Sequence, residues 1–216
     1  MKILKTFITL FFTASIALVH AQDTKAKEIL SSLSAKAKTY KSITAEFSFI
    51  LEDAKSNTNK TQAGSAKIVG KKFNLNLGDN NILSDGTTQW TYNKKDNEVY
   101  IDNAGEGGEG AIDPSKLFTI WETGFKQFYE SQVTEGGVVL DVIKLTPANP
   151  ADKSYHTIKL YVDKAKNMVN KVKVLGKDGT NYTYAIKSFS TDKVYADADF
   201  KFNKAKYAGV EEIDNR

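Results

Sequence analysis

Residues 42–51 read Ser-Ile-Thr-Ala-Glu-Phe-Ser-Phe-Ile-Leu. Ile43, Ala45, Phe47, Phe49 and Leu51 alternate with Thr44, Glu46 and Ser48, a period of two that an extended strand turns into one apolar face. The stretch before it, Asp23 to Tyr40, has another period. Ile29, Leu33, Ala37 and Tyr40 recur at helical spacing with Leu30 beside them, opposite a face of Lys and Ser. Asp23 can cap this helix, and Glu28 lies early, where the helix dipole favours negative charge. The change of period at Ser42 therefore predicts an amphipathic helix followed by β structure on which it lies.

Towards the C-terminus the period of two persists. Phe73, Leu75 and Leu77 alternate with Lys72, Asn74 and Asn76. Ile82-Leu83 leads into Asp85-Gly86, a turn signal, and Thr88, Trp90 and Tyr92 follow. Lys94-Lys95-Asp96-Asn97 separates these from Val99 and Ile101. A Gly- and acid-rich stretch, Asn103 to Ile112, interrupts the pattern. Asp113-Pro114 reads as a helix start, an N-cap acid followed by Pro at N1. Leu117, Phe118, Ile120 and Trp121 form its apolar side and Gly124 its stop, with Phe125, Phe128 and Tyr129 extending the stripe as a second short helix. Val138 to Leu145 is nearly all apolar. Ile158, Leu160 and Val162, then Met168 to Leu175, then Tyr182, Tyr184 and Ile186 read as further strands, and Phe200 with Phe202 as a short last one. Pattern counting gives about six strands, one or two helices, and about five strands. Short turns favour a meander in one antiparallel sheet, and a sheet of that size curls. Two helical pieces are too few to cover both faces. The expected fold is α+β, mainly β: an unclosed, half antiparallel β-barrel with a helical lid on its concave face.

The 216 residues suffice for one domain or two small ones, with 41% hydrophobic and 26% charged residues. The chain has no Cys, which excludes disulfides, thiol nucleophiles and thiolate metal sites. Lys2 and Lys5 precede an uncharged apolar run from Thr6 to Val19, and Val19-His20-Ala21 resembles a cleavage site. Residues 1–21 are therefore expected to be a secretory signal peptide and residues 22–216 a single exported domain. No Cys follows the cleavage point, so the product is not itself a lipoprotein. Losing Lys2 and Lys5 lowers the formal charge of +4 by two, which is no nucleic-acid-binding balance. The only Arg is Arg216, so bidentate recognition of phosphate is not expected. His156 is the one His left after cleavage, and a site needing two is excluded.

Gly105-Glu-Gly-Gly-Glu-Gly110 matches G-x-G-x-x-G, but its surroundings are antiparallel, and Asp102, Glu106, Glu109 and Asp113 would repel a pyrophosphate. It reads as a surface loop. No G-x-S-x-G elbow accompanies His156, which reads as structural. Asp85 beside Gly86 reads as a turn residue. No enzyme activity and no cofactor or metal are expected. The informative feature is the apolar surface itself. Phe47, Phe49, Phe73, Leu75 and Trp90 on strands, and Leu117, Phe118, Trp121 and Phe125 on the lid, would face the helix–sheet interface. Periodicity is compatible with a solid core there and with a cavity for an apolar ligand.

The stretch Ile82-Leu-Ser-Asp-Gly-Thr-Thr-Gln-Trp-Thr-Tyr-Asn93 resembles the hairpin motif of the periplasmic lipoprotein carriers, the LolA-like family. Other family pieces follow in order: the opening helix, the strand Ser42 to Phe49, and a strand with Gly64. Asp113-Pro114-Ser115 resembles the start of the lid helices, and Val142-Ile-Lys-Leu-Thr-Pro147 a strand ending in Leu-x-Pro. Tyr182-Thr-Tyr184 follows an Asp178-Gly179 turn, and Phe200-Lys-Phe202 and Val210-Glu-Glu-Ile213 resemble the C-terminal end. The resemblance implies an unclosed barrel whose apolar cavity, lined by the nine residues above, holds lipoprotein acyl chains. It implies a periplasmic chaperone, a monomer, that takes lipoproteins from an inner-membrane lipoprotein-releasing ABC transporter to an outer-membrane acceptor. The best-known carriers have an Arg before a Pro, linked to lid closure, in a segment that here reads Val69-Gly70-Lys71-Lys72-Phe73. Gly70, Lys71 and Lys72 thus inherit no role. Two alternatives remain at this point: a lipid- or lipoprotein-sensing domain of an envelope-stress regulator, and an exported hydrolase such as an esterase or glycosidase.

Overall fold

A computed structural model describes residues 23–105, 118–151 and 153–216. Helix α1 spans residues 23–37. It stops short of Tyr40 because Thr39 and Tyr40 bond back to the carbonyls of Lys36 and Ala37, three residues earlier, which tightens the last turn. Thr39 Oγ1 donates to the Lys36 carbonyl as well. Ala26, Leu30 and Leu33 form its buried stripe.

The first six strands are β1 (Ile43–Asp53), β2 (Thr58–Val69), β3 (Lys72–Leu77), β4 (Asn80–Ser84), β5 (Thr88–Asn93) and β6 (Glu98–Asn103). The next six are β7 (Phe125–Glu135), β8 (Val138–Pro147), β9 (Tyr155–Asp163), β10 (Met168–Gly176), β11 (Thr180–Thr191) and β12 (Glu211–Asp214). They form one sheet in the order β12-β6-β5-β4-β3-β2-β1-β11-β10-β9-β8-β7. Two meanders, β1–β6 and β7–β11, thus meet along an antiparallel β1–β11 seam. The sheet does not close, and β12 and β7 are its edges. This is the expected unclosed barrel with a helix on its inner face.

Three hairpins share one turn design. Asp53 Oδ1, Asn93 Oδ1 and Asp163 Oδ1 accept backbone N–H groups two or three residues on. Four residues after each stands an Asn at positive φ: Asn57 at 51°, Asn97 at 54° and Asn167 at 47°. The short carboxylate or amide closes the turn, and Asn tolerates the left-handed residue that returns the chain to the next strand.

Two expectations are corrected. Phe125, Phe128 and Tyr129 belong to strand β7 and not to a short helix. A bulge between Tyr129 and Ser131 shifts the strand's phase, which hides its alternation from a period count. The segment before it is a 3-10 turn, Ile120–Glu122, and Gly124 at φ 80° lets the chain swing from it into β7. Phe200 closes another 3-10 turn, Asp197–Phe200, rather than sitting in a strand. The last strand is β12, which pairs in parallel with β6.

A large buried cluster forms where α1 lies. Leu30 and Leu33 pack on β8–β10, among Ile143, Leu145, Ile158 and Leu160, each fully buried. Each such side chain contributes roughly 1.5–3 kcal/mol by burial. Polar ties fix the helix in place. The buried Trp121 donates from Nε1 to Ser34 Oγ (2.8 Å) and to the Leu30 carbonyl (3.2 Å). Lys36 Nζ donates to the Lys166 carbonyl at 2.6 Å and Asn167 Nδ2 to Ser32 Oγ at 2.7 Å. On the outer face, residues 192–210 cross back over the first meander. Asn74 Nδ2 donates to the Asp199 carbonyl (2.8 Å), and Tyr92 packs on Phe202 and Tyr207.

Candidate apolar binding site

The inner face of the first meander is built in cross-strand rows. Ile43, Ile68 and Phe73 form one row, and Phe47 and Gly64 lie in another. Between them Ala45 stands opposite Ala66, which pairs with Leu75. Two methyl groups side by side cannot fill a layer that Ile, Phe and Leu fill on either side. A cavity of about 80 Å³ lies over them. Phe47, Ile68 and Leu75 wall it on one side, and Val172, Tyr184 and Ile186 on the other, across the β1–β11 seam. Phe118 and Val169 complete it. The Phe47 ring can lean as it does because residue 64 is Gly: a Cβ there would overlap the ring.

The lining carries no charged group. Its one phenol, Tyr184, stays protonated, because burial and then the neighbouring Tyr182 push its pKa up to about 12. Aromatic rings continue the wall along the sheet: Phe47 lies 6.0 Å from Tyr184, and Phe49 5.2 Å from Tyr184 and 6.0 Å from Tyr182. Apart from that phenol, the lining side chains are hydrocarbon. Such a space can take hydrocarbon.

A smaller space of about 20 Å³ adjoins it under α1. Leu33, Ala37, Tyr40, Trp121 and Phe189 contribute to its wall, with Lys36 and Asn167 the polar chains there. Phe118 and Val169 line both spaces.

Of the nine residues expected to line a cavity, Phe47, Leu75 and Phe118 line the larger one. Trp121 lines the smaller, as a buried anchor bonded to α1 and to Gln127 Nε2, which donates to its carbonyl at 2.6 Å. Phe73 sits one row away in the Ile43–Ile68 cluster, and Phe49 lies beyond Phe47. Phe125 stacks on Tyr155 within the filled half, at 6.5 Å and 12°. Trp90 is on the other face of the sheet. It pairs with Leu83, which pairs with Asn74, whereas Leu75 pairs with Ile82 and Ile82 with Thr91. It packs instead with Tyr92, Val99 and Val210. Leu117 lies outside the described residues, as do Asp113, Pro114 and all of the Gly-rich motif after Gly105. Sequence reasoning missed Ala45, Ala66, Ile68, Val169, Val172, Tyr184 and Ile186. The Ala45 position in an otherwise bulky alternation was the available signal.

His156 is exposed, with Nδ1 2.9 Å from Thr157 Oγ1. Among the described residues no cluster of three or more His, Asp or Glu could hold a metal ion, and no helix is long and apolar enough to cross a membrane.

Residues 38–203 match the family model described as outer membrane lipoprotein carrier protein LolA. No curated protein matches the chain. Among solved structures, it is similar to an uncharacterized conserved protein from Thermus thermophilus, with TM-score 0.56 and 11% identity over 88% of this chain and 99% of that one. It is also similar to a LolA superfamily protein from Nitrosomonas europaea, with TM-score 0.45 and 9% identity over 82% of this chain and 97% of that one. A third similarity is to the Pseudomonas aeruginosa MucA/MucB complex, with TM-score 0.44 and 15% identity over 83% of this chain and 61% of that one.

Proposed function

Because this chain belongs to the LolA family of outer membrane lipoprotein carrier proteins, we propose that it is a periplasmic chaperone that carries lipoproteins from the inner to the outer membrane. Residues 1–21 act as the export signal, and residues 22–216 form the working domain. Lipoproteins come from a lipoprotein-releasing ABC transporter and leave to an outer-membrane acceptor, without chemistry or cofactor. The observation that carries the reading is the uncharged cavity over Ala45 and Ala66, with Phe47, Leu75 and Phe118 in its wall.

Magnitudes bear on how such a carrier works. Burying an acyl chain of about 16 carbons is worth at most around 12 kcal/mol, at roughly 0.8 kcal/mol per CH₂. Ordering the chain and moving protein out of its way take back several kcal/mol. The observed cavity of about 80 Å³ is smaller than the roughly 150 Å³ that accommodates benzene in an engineered core. Loading an acyl chain therefore requires displacement of the wall. That opposing term keeps net affinity moderate, as release to an acceptor demands.

Mass spectrometry of material co-purifying with the exported protein tests the reading. Acylated polypeptides or lipids should be recovered, and lost when Ala66→Leu fills the cavity. Recovery of full-length protein from the inner membrane, or protein that takes up no acyl probe, would overturn it.

A further inference from the structure

The two apolar spaces are neighbours with a shared wall, and the two shared residues differ in how they are held. Val169 lies in β10, paired with Val162 of β9. Phe118 lies in a turn between elements, half-buried, just before the 3-10 turn at Ile120. Its ring meets Phe189 edge-on at 5.7 Å and touches both the helix-side and the sheet-side clusters. With that ring turned aside, the spaces would meet past Val169 as one passage. Its floor is Ala45 and Ala66. Its far end is under α1 at Lys36 and Asn167, both partly exposed.

We propose that Phe118 is a displaceable plug, and that a long acyl chain lodges by pushing it aside, with its methyl end over Ala45 and Ala66 and its polar end at Lys36 and Asn167. This rests on the acyl-carrier reading above and adds a chain-length rule to it. A short chain requires only the other walls of the larger space to yield and leaves the plug in place. A long chain must pass the plug. The occupant is linear hydrocarbon, because apart from ring-borne groups the polar side chains reaching the passage stand at that one end.

The test uses the mature protein carrying Trp90→Phe, so that Trp121, in the wall of the smaller space, is the one tryptophan left. The probes are single-chain acyl probes of about 8 and about 16 carbons, both brominated near the polar end and the longer one also, separately, near its methyl end. The long chain brominated near its polar end should quench Trp121, and the short chain should not. Phe118→Ala should tighten the long probe about ten-fold and the short one less than two-fold. Phe118→Trp, followed by displacement of a pre-bound fluorescent probe, should weaken the long probe by a similar factor. Phe118→Leu should fall between wild type and Ala, and it serves if the Ala variant does not fold. Equal effects on both lengths, or no quenching by the long chain, overturn the plug while acyl binding stands. Failure of every probe to bind the wild-type protein overturns the carrier reading itself.

Discussion

The inner face of this sheet has two halves built by the same alternation and ending in opposite states. Under α1, the inward positions of β8 and β9 include Ile143, Leu145, Ile158 and Leu160, and none of these four keeps any exposed surface. On β1 and β2 the central inward pair is Ala45 and Ala66, buried as well, yet beneath empty volume. Both halves are apolar. The difference lies in side-chain size at two facing positions and in what stands above them. Hollowness is therefore written in the small residues, and the large ones mark the walls.

That contrast can be broken most forcefully at Trp121. If it belongs to the filled half, Trp121→Ala should cost about 3–5 kcal/mol in urea denaturation. Unchanged stability with lost acyl binding would move it to the hollow half instead. A matched pair gives the sharper comparison. Ala26, fully buried on α1, and Ala66 receive the same change to Leu. Ala26→Leu should cost about 1–3 kcal/mol by overpacking. Ala66→Leu should cost less than about 1 kcal/mol, because its added carbons enter free volume, and should weaken acyl-probe binding at least about ten-fold. Equal destabilisation by the two would mean that the halves do not differ.

The smallest effect at neutral pH concerns Tyr184. The fold holds this phenol in its neutral form, with its pKa up at about 12. Burial penalises the phenolate, so the resulting loss of stability is absent below the ordinary tyrosine value near ~10 and grows as pH rises from there through about 12. It amounts to no more than about 3 kcal/mol. Tyr184→Phe should leave stability at pH 7 within about 1 kcal/mol of wild type and flatten that alkaline fall, as read by denaturation across pH. An unchanged alkaline slope would place Tyr184 in contact with water.

How far the sequence reveals these halves depends on the range of the interaction responsible. Alternation from Ile43 to Leu51 announces β1, because burial on one face imposes a period of two locally. The family resemblance and the unclosed sheet follow from many such local signals. Strand β7 was illegible because its bulge breaks the period. Trp90 misled because its face is decided at long range. Thr88, Trp90 and Tyr92 look like an inward row, and they point outward because residues near Phe202, Tyr207 and Val210 cover that side. Ala45 reads as one more apolar position, since its partner Ala66 is known only once β1 and β2 are in register.

The β1–β11 seam has a consequence for how the molecule comes into being. Each meander assembles from hairpins of neighbouring strands, whereas Glu46 and Ser188, bonded across the seam, are 142 residues apart. Contacts of such sequence separation form late, after the loop entropy between them has been overcome. Ala45 and Phe47 stand on one side of the seam, and Tyr184 and Ile186 on the other. Two finished meanders would still have no cavity. The ability to bind should therefore emerge in the slowest refolding phase, after most of the β signal has recovered, and an acyl probe present during refolding should report the seam closing.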